Sequence, residues 1–260
     1  MIPKIIHYCW FGGNPKPESV KKYIESWHKY CPDYEFREWN ETNFDINENN
    51  YCKEAYEAKK WAFVTDYVRL KALYEYGGIY MDTDVEIVKP LDELLIYDAF
   101  MCFETNDKVS IGTFGSKRKT KLLKDLLNEY QQMEFKWNDA HTMTNLTVVT
   151  NLLIKKYNLK CNGKSQRLID NIMIFPREAF IAKDYNTGLI MANETTYAVH
   201  HYAASWLPED IRKYRELYQE YYYMMKKSGV PEKVAFYGSR VRAVVELQGL
   251  FGLLKKIAKG

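Results

Sequence analysis

Between Trp61 and Val88 a helical pattern is stopped by two consecutive glycines and runs at once into an apolar strand. Residues 62–76 place Ala62, Phe63, Leu70 and Leu73 on one stripe at 100° per residue, and Gly77-Gly78 follow where only glycine takes positive φ cheaply. Ile79 to Val88 then reads as a strand closed by Pro90. A helix that delivers the chain straight into a buried strand restricts the fold to layers of helix on sheet.

The rest of the chain repeats that alternation. Ile5-Ile6-His7-Tyr8-Cys9-Trp10 reads as a buried first strand, ended by Gly12-Gly13, with a helix over 16–30 and a second strand over 34–39. The Asn-rich stretch 40–50 reads as a loop, and a helix follows over 51–60. Strands are expected near 99–104, 110–115, 172–175 and 195–201, with helices near 119–133 and 145–158. From Pro208 the character becomes helical, with a break at Gly229-Val230-Pro231 and a last helix running to Lys259. The expectation is an α/β fold, a mainly parallel sheet flanked by helices over 1–207, followed by a helical extension over 208–260. Ligands of such sheets sit at the carboxyl ends of strands, where the chain order reverses. No GxGxxG or P-loop pattern occurs, which disfavours a dinucleotide or P-loop enzyme.

Composition removes several function classes. The 260 residues carry a formal charge of only +3, too weak to argue for nucleic acid as a partner. The five cysteines are scattered and show no CxxC spacing, which favours a reducing compartment over a disulfide framework or zinc knuckle. Met1-Ile2-Pro3-Lys4 runs into the first strand without a signal-peptide layout, and no apolar stretch approaches the roughly 18–20 residues that span a bilayer. The expected location is cytoplasmic, or peripheral at the inner face of a membrane. Twenty-two Tyr and six Trp suit stacking on bases and sugars, and equally well fill a core.

Two anomalies carry chemistry. Asp66 sits in the middle of the apolar stripe, with Arg69 one turn on at its edge. A buried carboxylate is expensive unless paired. The two side chains either lock the helix as an internal ion pair, or Asp66 accepts hydroxyl protons from a sugar or ribose while Arg69 balances charge. Asp82 and Asp84, two residues apart in an extended chain, point to the same side. Like charges that close call for a cation between them, and a hard divalent ion that keeps water and takes up phosphate suits the pair. Two solvated aspartates at a strand end are the plain alternative. Glu104, Asn106 and Asp107 follow the apolar run 100–103 and either line a pocket or form a polar turn. Asn145, after Thr142 and Thr144, reads as a helix cap.

The run Ala62-Phe63-Val64-Thr65-Asp66-Tyr67-Val68-Arg69, followed by Leu73 to Val85 with Gly77-Gly78-Ile79-Tyr80-Met81-Asp82-Thr83-Asp84, resembles the signature of family-32 glycosyltransferases. This is the DXD-containing sugar-binding group, with bacterial capsular polysaccharide transferases and fungal mannosyltransferases. Ile2 to Trp10 is similar to the family's opening strand, and His200-His201-Tyr202-Ala203-Ala204-Ser205-Trp206 to its closing motif. The resemblance covers roughly residues 1–207. It implies a GT-A-like (Rossmann-like) domain that moves a sugar, with retention, from a nucleotide-diphosphate donor to a growing surface or capsular glycan. A UDP-sugar donor is favoured, Mn²⁺ or Mg²⁺ is the implied cofactor, and the acceptor is a glycan or lipid-linked glycan. Residue by residue, Asp66 and Arg69 would hold the donor sugar or ribose, and Asp82 ribose or metal-bound water. Asp84 would bind the metal. His7 and Trp10 would lie by the nucleotide. His201 and Ser205 would complete the metal and diphosphate site, with Trp206 on phosphate. Distant toxin relatives carry an acidic ligand in the closing motif, and histidines stand there in this chain. One of His200 and His201 would face the site and the other pack.

Two other readings use the same residues: a non-catalytic nucleotide- or carbohydrate-binding module, and a metal-dependent nucleotidyltransferase. The last helix, with Val241, Val244, Leu247, Leu250, Leu254 and a lysine-bearing end, either lies on an anionic membrane or packs on protein.

Overall fold

The computed structural model describes residues 1–136, 144–204 and 207–257, with side chains to residue 249. The chain forms two compact units, Met1–Ala182 with Ala192–His201, and Lys183–Met191 with Tyr202–Gly260.

The first unit is α/β, as the alternating pattern predicts. Its strands are β1 (Ile5–Cys9), β2 (Glu35–Trp39), β3 (Gly78–Met81), β4 (Val85–Ile87), β5 (Ala99–Phe103), β6 (Val109–Ser116), β7 (Gln166–Leu168), β8 (Ile172–Phe175) and β9 (Ala198–His200). Its helices are α1 (Glu18–Tyr30), α2 (Asn50–Glu57), α3 (Trp61–Tyr76), α4 (Lys121–Gln131) and α5 (Asn145–Tyr157). Seven strands make one sheet in the order β2-β1-β3-β6-β5-β8-β7. Pairing is parallel at β1/β2, β1/β3 and β5/β8, and antiparallel where β6 joins β3 and β5 and where β7 joins β8.

α3 is the central helix. It buries Val64, Tyr67, Val68, Leu70, Ala72 and Leu73, on several sides at once, and Asp66 and Arg69 with them. A helix covered all round belongs inside a core, and here α2, α4 and the sheet surround it. Gly77 N–H donates to Leu73 O and the chain reverses at φ 67°. At Gly78, φ is 113° and a Cβ would come within 2.6 Å of Ile5 O, so the step from helix to strand requires glycine.

The single strand expected over 79–88 is corrected here. β3 ends at Met81, residues 82–84 turn, and β4 pairs antiparallel with β9 in a separate two-stranded sheet. The reason is competition for partners. β3 lies between β1 and β6, whereas Val85 pairs with His200 and Ile87 with Ala198. Trp27, fully buried on α1, donates from Nε1 to Val85 O at 2.7 Å and holds the small sheet down.

The second unit is a helical hairpin of α6 (Glu209–Lys227) and α7 (Glu232–Ile257), with a non-helical Gly249 (φ 69°) inside α7. Tyr218, Tyr221 and Ala243 form its core. Arg240 lies over Tyr218 and Arg242 over Tyr221. The 183–191 segment belongs to this unit, with Gln219 donating to Tyr185 O at 2.8 Å.

Candidate active site

Four elements converge on one cluster. α3 supplies Asp66 and Arg69, β3 leads at Met81 into Asp82, the turn that follows supplies Asp84, and β9 supplies His200. Arg69 is the hub. Its Nη2 stands 3.2 Å from Asp66 Oδ1 and its Nη1 3.3 Å from Asp82 Oδ1, with both Arg69 and Asp66 side chains 4% exposed. Nε donates to Thr65 O, Nη2 to Thr65 Oγ1 and Nη1 to Ile111 O, and the guanidinium lies 4.5 Å from the Tyr80 ring centre. A planar five-donor group can serve two carboxylates and two carbonyls at once, which a lysine cannot. The Asp66–Arg69 pair foreseen from the stripe is thus present, and Asp82 shares it.

Burial pushes the Asp66 carboxyl up to about 6, against the opposing pull of Arg69 and of a hydrogen bond from Asn145. That bond, Nδ2 to Oδ1 at 2.7 Å, comes from the first residue of α5. Asn145 is therefore not the cap; Thr144 holds that place. The sequence signal for this was the threonine already standing at the cap position.

Asp82 Oδ1 accepts from Tyr80 Oη at 2.9 Å, and its backbone N–H donates to Gly112 O at 2.8 Å. The Gly112 carbonyl continues the β3/β6 ladder one step past the Met81–Thr113 pair, and the neighbouring Ile111 carbonyl accepts from Arg69. A Cβ on Gly112 would sit 2.7 Å from Asp82 Oδ2. Glycine leaves the room that Asp82 occupies.

Asp84 Oδ1 stands 3.0 Å from His200 Nε2, with side chains 15% and 13% exposed. Atoms of Asp82, Asp84 and His200 all lie within 4.8 Å of one another, a spacing one ion can bridge. Two carboxylate oxygens and an imidazole nitrogen fit a divalent cation of the Mn²⁺ or Mg²⁺ kind, the nitrogen suiting Mn²⁺ better. Burial opposes a charge on His200, but Asp84, with Asp82 and Glu104, holds the proton on to about 9.

The closing motif needs one correction. His201, expected beside the aspartates, faces the other way: its Nε2 meets Glu86 Oε2 at 2.8 Å and its ring stacks on Tyr23 at 4.5 Å. Paired residues share a face, so the Glu86–Val199 register puts His201, two residues on, on the Glu86 side, while His200 faces the other way and meets Asp84 because the chain turns at 83–84. The His201 amide still ties the motif to the turn by donating to Asp84 O at 2.8 Å. Ser205 and Trp206 lie outside the described residues.

His7 is corrected too. It is fully buried, its Nδ1 accepts from Trp39 Nε1 at 3.1 Å, and its Nε2 donates to Gly77 O at 2.8 Å. Both nitrogens are taken, so the ring offers nothing to a donor molecule, and burial lowers it to about 4. Trp10 is half-buried and donates to Asn14 O at 2.6 Å, beside a cleft of about 660 Å³ lined by Gly12, Gly13, Asn14, Glu41, Tyr56 and Trp61 among others. Of the 104–107 turn, Asp107 accepts from Thr105 Oγ1 in an exposed loop, whereas Glu104 is pushed up by burial and feels His200 and Asp82. Glu104 joins the site; Asp107 is turn.

Residues 17–101 match the family described as "Glycosyltransferase sugar-binding region containing DXD motif". Among curated proteins, inositol phosphoceramide mannosyltransferase 3 of Schizosaccharomyces pombe is 29% identical over 145 residues, 53% of this chain and 39% of that protein. The uncharacterized glycosyltransferase L373 of Acanthamoeba polyphaga mimivirus is 27% identical over 221 residues, 80% of this chain and 85% of that one. The chain thus spans about two fifths of the length of the yeast relative and most of the viral one. Among solved structures, the PaToxG glycosyltransferase superposes with a TM-score of 0.47 at 17% identity, over 60% of this chain and 70% of that chain. The stretch that carries Asp66, Arg69, Asp82 and Asp84 is the stretch that matches the glycosyltransferase sugar-binding region.

Proposed function

We propose that the protein is a metal-dependent glycosyltransferase of GT-A-like fold that takes a sugar from a nucleotide-diphosphate donor. The observation that carries this reading is the joining of two parts by Arg69: the Asp82–Asp84–His200 trio and the buried Asp66. A binding module needs neither a cation site nor a charged pair behind it. A nucleotidyltransferase leaves Asp66 without a task.

In this reading Asp84 and His200 hold the cation, and Asp82 contacts it or its water. When bound, the cation supplies positive charge against the diphosphate as it leaves the anomeric carbon. Asp66, oriented by Arg69 and Asn145, accepts hydrogen bonds from sugar or ribose hydroxyls. Such bonds discriminate strongly against donors that lack the hydroxyl, because the buried carboxylate is then left unmatched. The cleft beside Trp10 takes the nucleotide end. Ser205 and Trp206 remain assigned to the diphosphate on resemblance, as do retention of configuration and a surface, capsular or lipid-linked glycan acceptor. A UDP-sugar is the favoured donor. The names of the yeast relatives add GDP-mannose to the donors worth testing.

The test is release of free nucleotide from UDP-glucose, UDP-galactose, UDP-N-acetylglucosamine and GDP-mannose, in Mn²⁺, Mg²⁺ or excess EDTA. Slow hydrolysis of one donor in the metal buffers alone is expected. Release undiminished by EDTA removes the metal from the reading, and no release from any donor removes the activity.

A further inference from the structure

The chain's positive charge is not spread evenly. Residues 208–260 hold eleven Lys and Arg against six Asp and Glu, more than the whole excess of the chain. Within the hairpin, residues 221–245 hold five basic side chains and a single acid, Glu232. Arg240, half-buried, and Arg242, exposed, lie over the rings of Tyr218 and Tyr221. Lys226, Lys227 and Lys233 are exposed at the tip.

The same tip carries large apolar groups in water. Tyr223 is 57% exposed, Met224 40%, Val234 59% and Tyr237 67%, with Val241 one turn further along α7 at 46%. Inward positions of the same helices, Tyr221, Tyr222, Ala235 and Val244, are buried, so the outward set is not the hairpin's own core. Single exposed apolar residues are ordinary, but several at one helical end, interleaved with lysines, are a contact surface. The turn that presents them is tightly closed: Gly229 N–H donates to Lys226 O, Val230 N–H to Met225 O, and Gly229 takes φ 79°.

We propose that the tip of the α6–α7 hairpin docks on an anionic lipid bilayer. Tyrosine rings and short apolar side chains fit the boundary between headgroups and acyl chains. Lysine stems lie along apolar surface while their ammonium groups reach lipid phosphates and carboxylates. Among the described residues no helix is long and apolar enough to cross a membrane, so the contact is with one leaflet. This inference is independent of the transferase reading.

The test is co-sedimentation of the full chain with vesicles of phosphatidylcholine, with and without phosphatidylserine. Two variants are compared with the parent, Lys226→Gln/Lys227→Gln/Lys233→Gln and Val234→Ser/Tyr237→Ser. All five positions are exposed, so melting temperatures should match the parent's. The parent should bind the phosphatidylserine vesicles and be released by high salt. The lysine variant should lose binding by roughly five-fold per charge, on the order of 100-fold in all. The apolar variant should lose the part of the binding that resists salt. Equal binding to both vesicle types, no binding, or full binding by the lysine variant overturns the proposal. So does a parent that elutes as a dimer while the apolar variant elutes as a monomer, since the surface then belongs to a second copy. Should the apolar variant misfold, the lysine variant decides.

Discussion

Nε2 of His200, the last residue of β9, and Oδ1 of Asp84, in the turn just before β4, stand 3.0 Å apart beside the Val85–His200 pair. A proton shared in this way must leave before the imidazole can ligate a metal. With the ring held protonated to about 9, Mn²⁺ binding should release close to one proton at neutral pH. Affinity should rise about tenfold per pH unit up to that value and level off above it. Titration calorimetry in buffers of different ionisation enthalpy measures the proton directly, and a pH-independent affinity between 6 and about 9 would contradict the assignment of His200.

Asp84→Asn removes the charge and keeps the shape. A neutral amide is a poor ligand for a hard cation, so turnover of the donor should fall on the order of 100-fold or more while the fold persists. Melting and nucleotide release measured on the same sample check both halves. Retained activity in a folded variant would show that Asp84 is not a ligand.

Asp66 gives a pH signature of the opposite kind to an ordinary salt bridge. Its folded-state carboxyl titrates near 6 and its unfolded one near 3.8, so the folded protein binds the extra proton between them. Stability from this residue is therefore greatest below about 4 and is lost as pH rises through 6, by at most about 3 kcal/mol. Asp66→Asn should remove that slope and cost little in melting temperature at neutral pH, yet weaken donor binding. Chemical denaturation of parent and variant across this range measures the difference. Asp66→Ala, which strands Asn145 but leaves Arg69 with Asp82 and two carbonyls, should cost on the order of 1–3 kcal/mol.

His7 works in the other direction. Its ring falls from 6.5 to about 4 on folding because it is buried neutral, so the unfolded chain binds the proton more readily. The stability it contributes is complete above 6.5 and lost as pH falls toward 4, up to roughly 3 kcal/mol. Over the shared window it opposes Asp66, and the parent should look flatter than either residue alone. In His7→Gln the acid-side loss attributable to the imidazole should disappear; an unchanged acid limb would rule His7 out as its source.

The parts of the site visible in the sequence were those where a local rule was broken. A carboxylate in the middle of an apolar stripe announced Asp66, and the glycine pair after it fixed the end of α3. Asp82 and Asp84 do converge, but through a turn between two sheets and not as neighbours on one strand face. What stayed hidden depends on partners far along the chain. Which histidine faces the aspartates follows from the pairing of β4 with β9, more than a hundred residues away in sequence. Asn145 reaches Asp66 across 79 residues, and nothing local to Asn145 points there. The resemblance alone assigned His7 to the donor, and its real partners, Trp39 and Gly77, lie 32 and 70 residues away, where its own neighbourhood gives no sign of them.

The turn at 82–84 hangs its two aspartates from different supports: Asp82 by its amide on Gly112 of the large sheet, Asp84 by its carbonyl on the His201 amide at the end of the small one. The gap between the carboxylates is consequently set by how the two sheets meet, and Thr83 has little say in it. Grafting Asp-Thr-Asp onto an arbitrary strand would transplant the letters without the spacing. Loosening Trp27, which clamps the small sheet through Val85, should detune the pair from a distance while every acidic side chain stays in place.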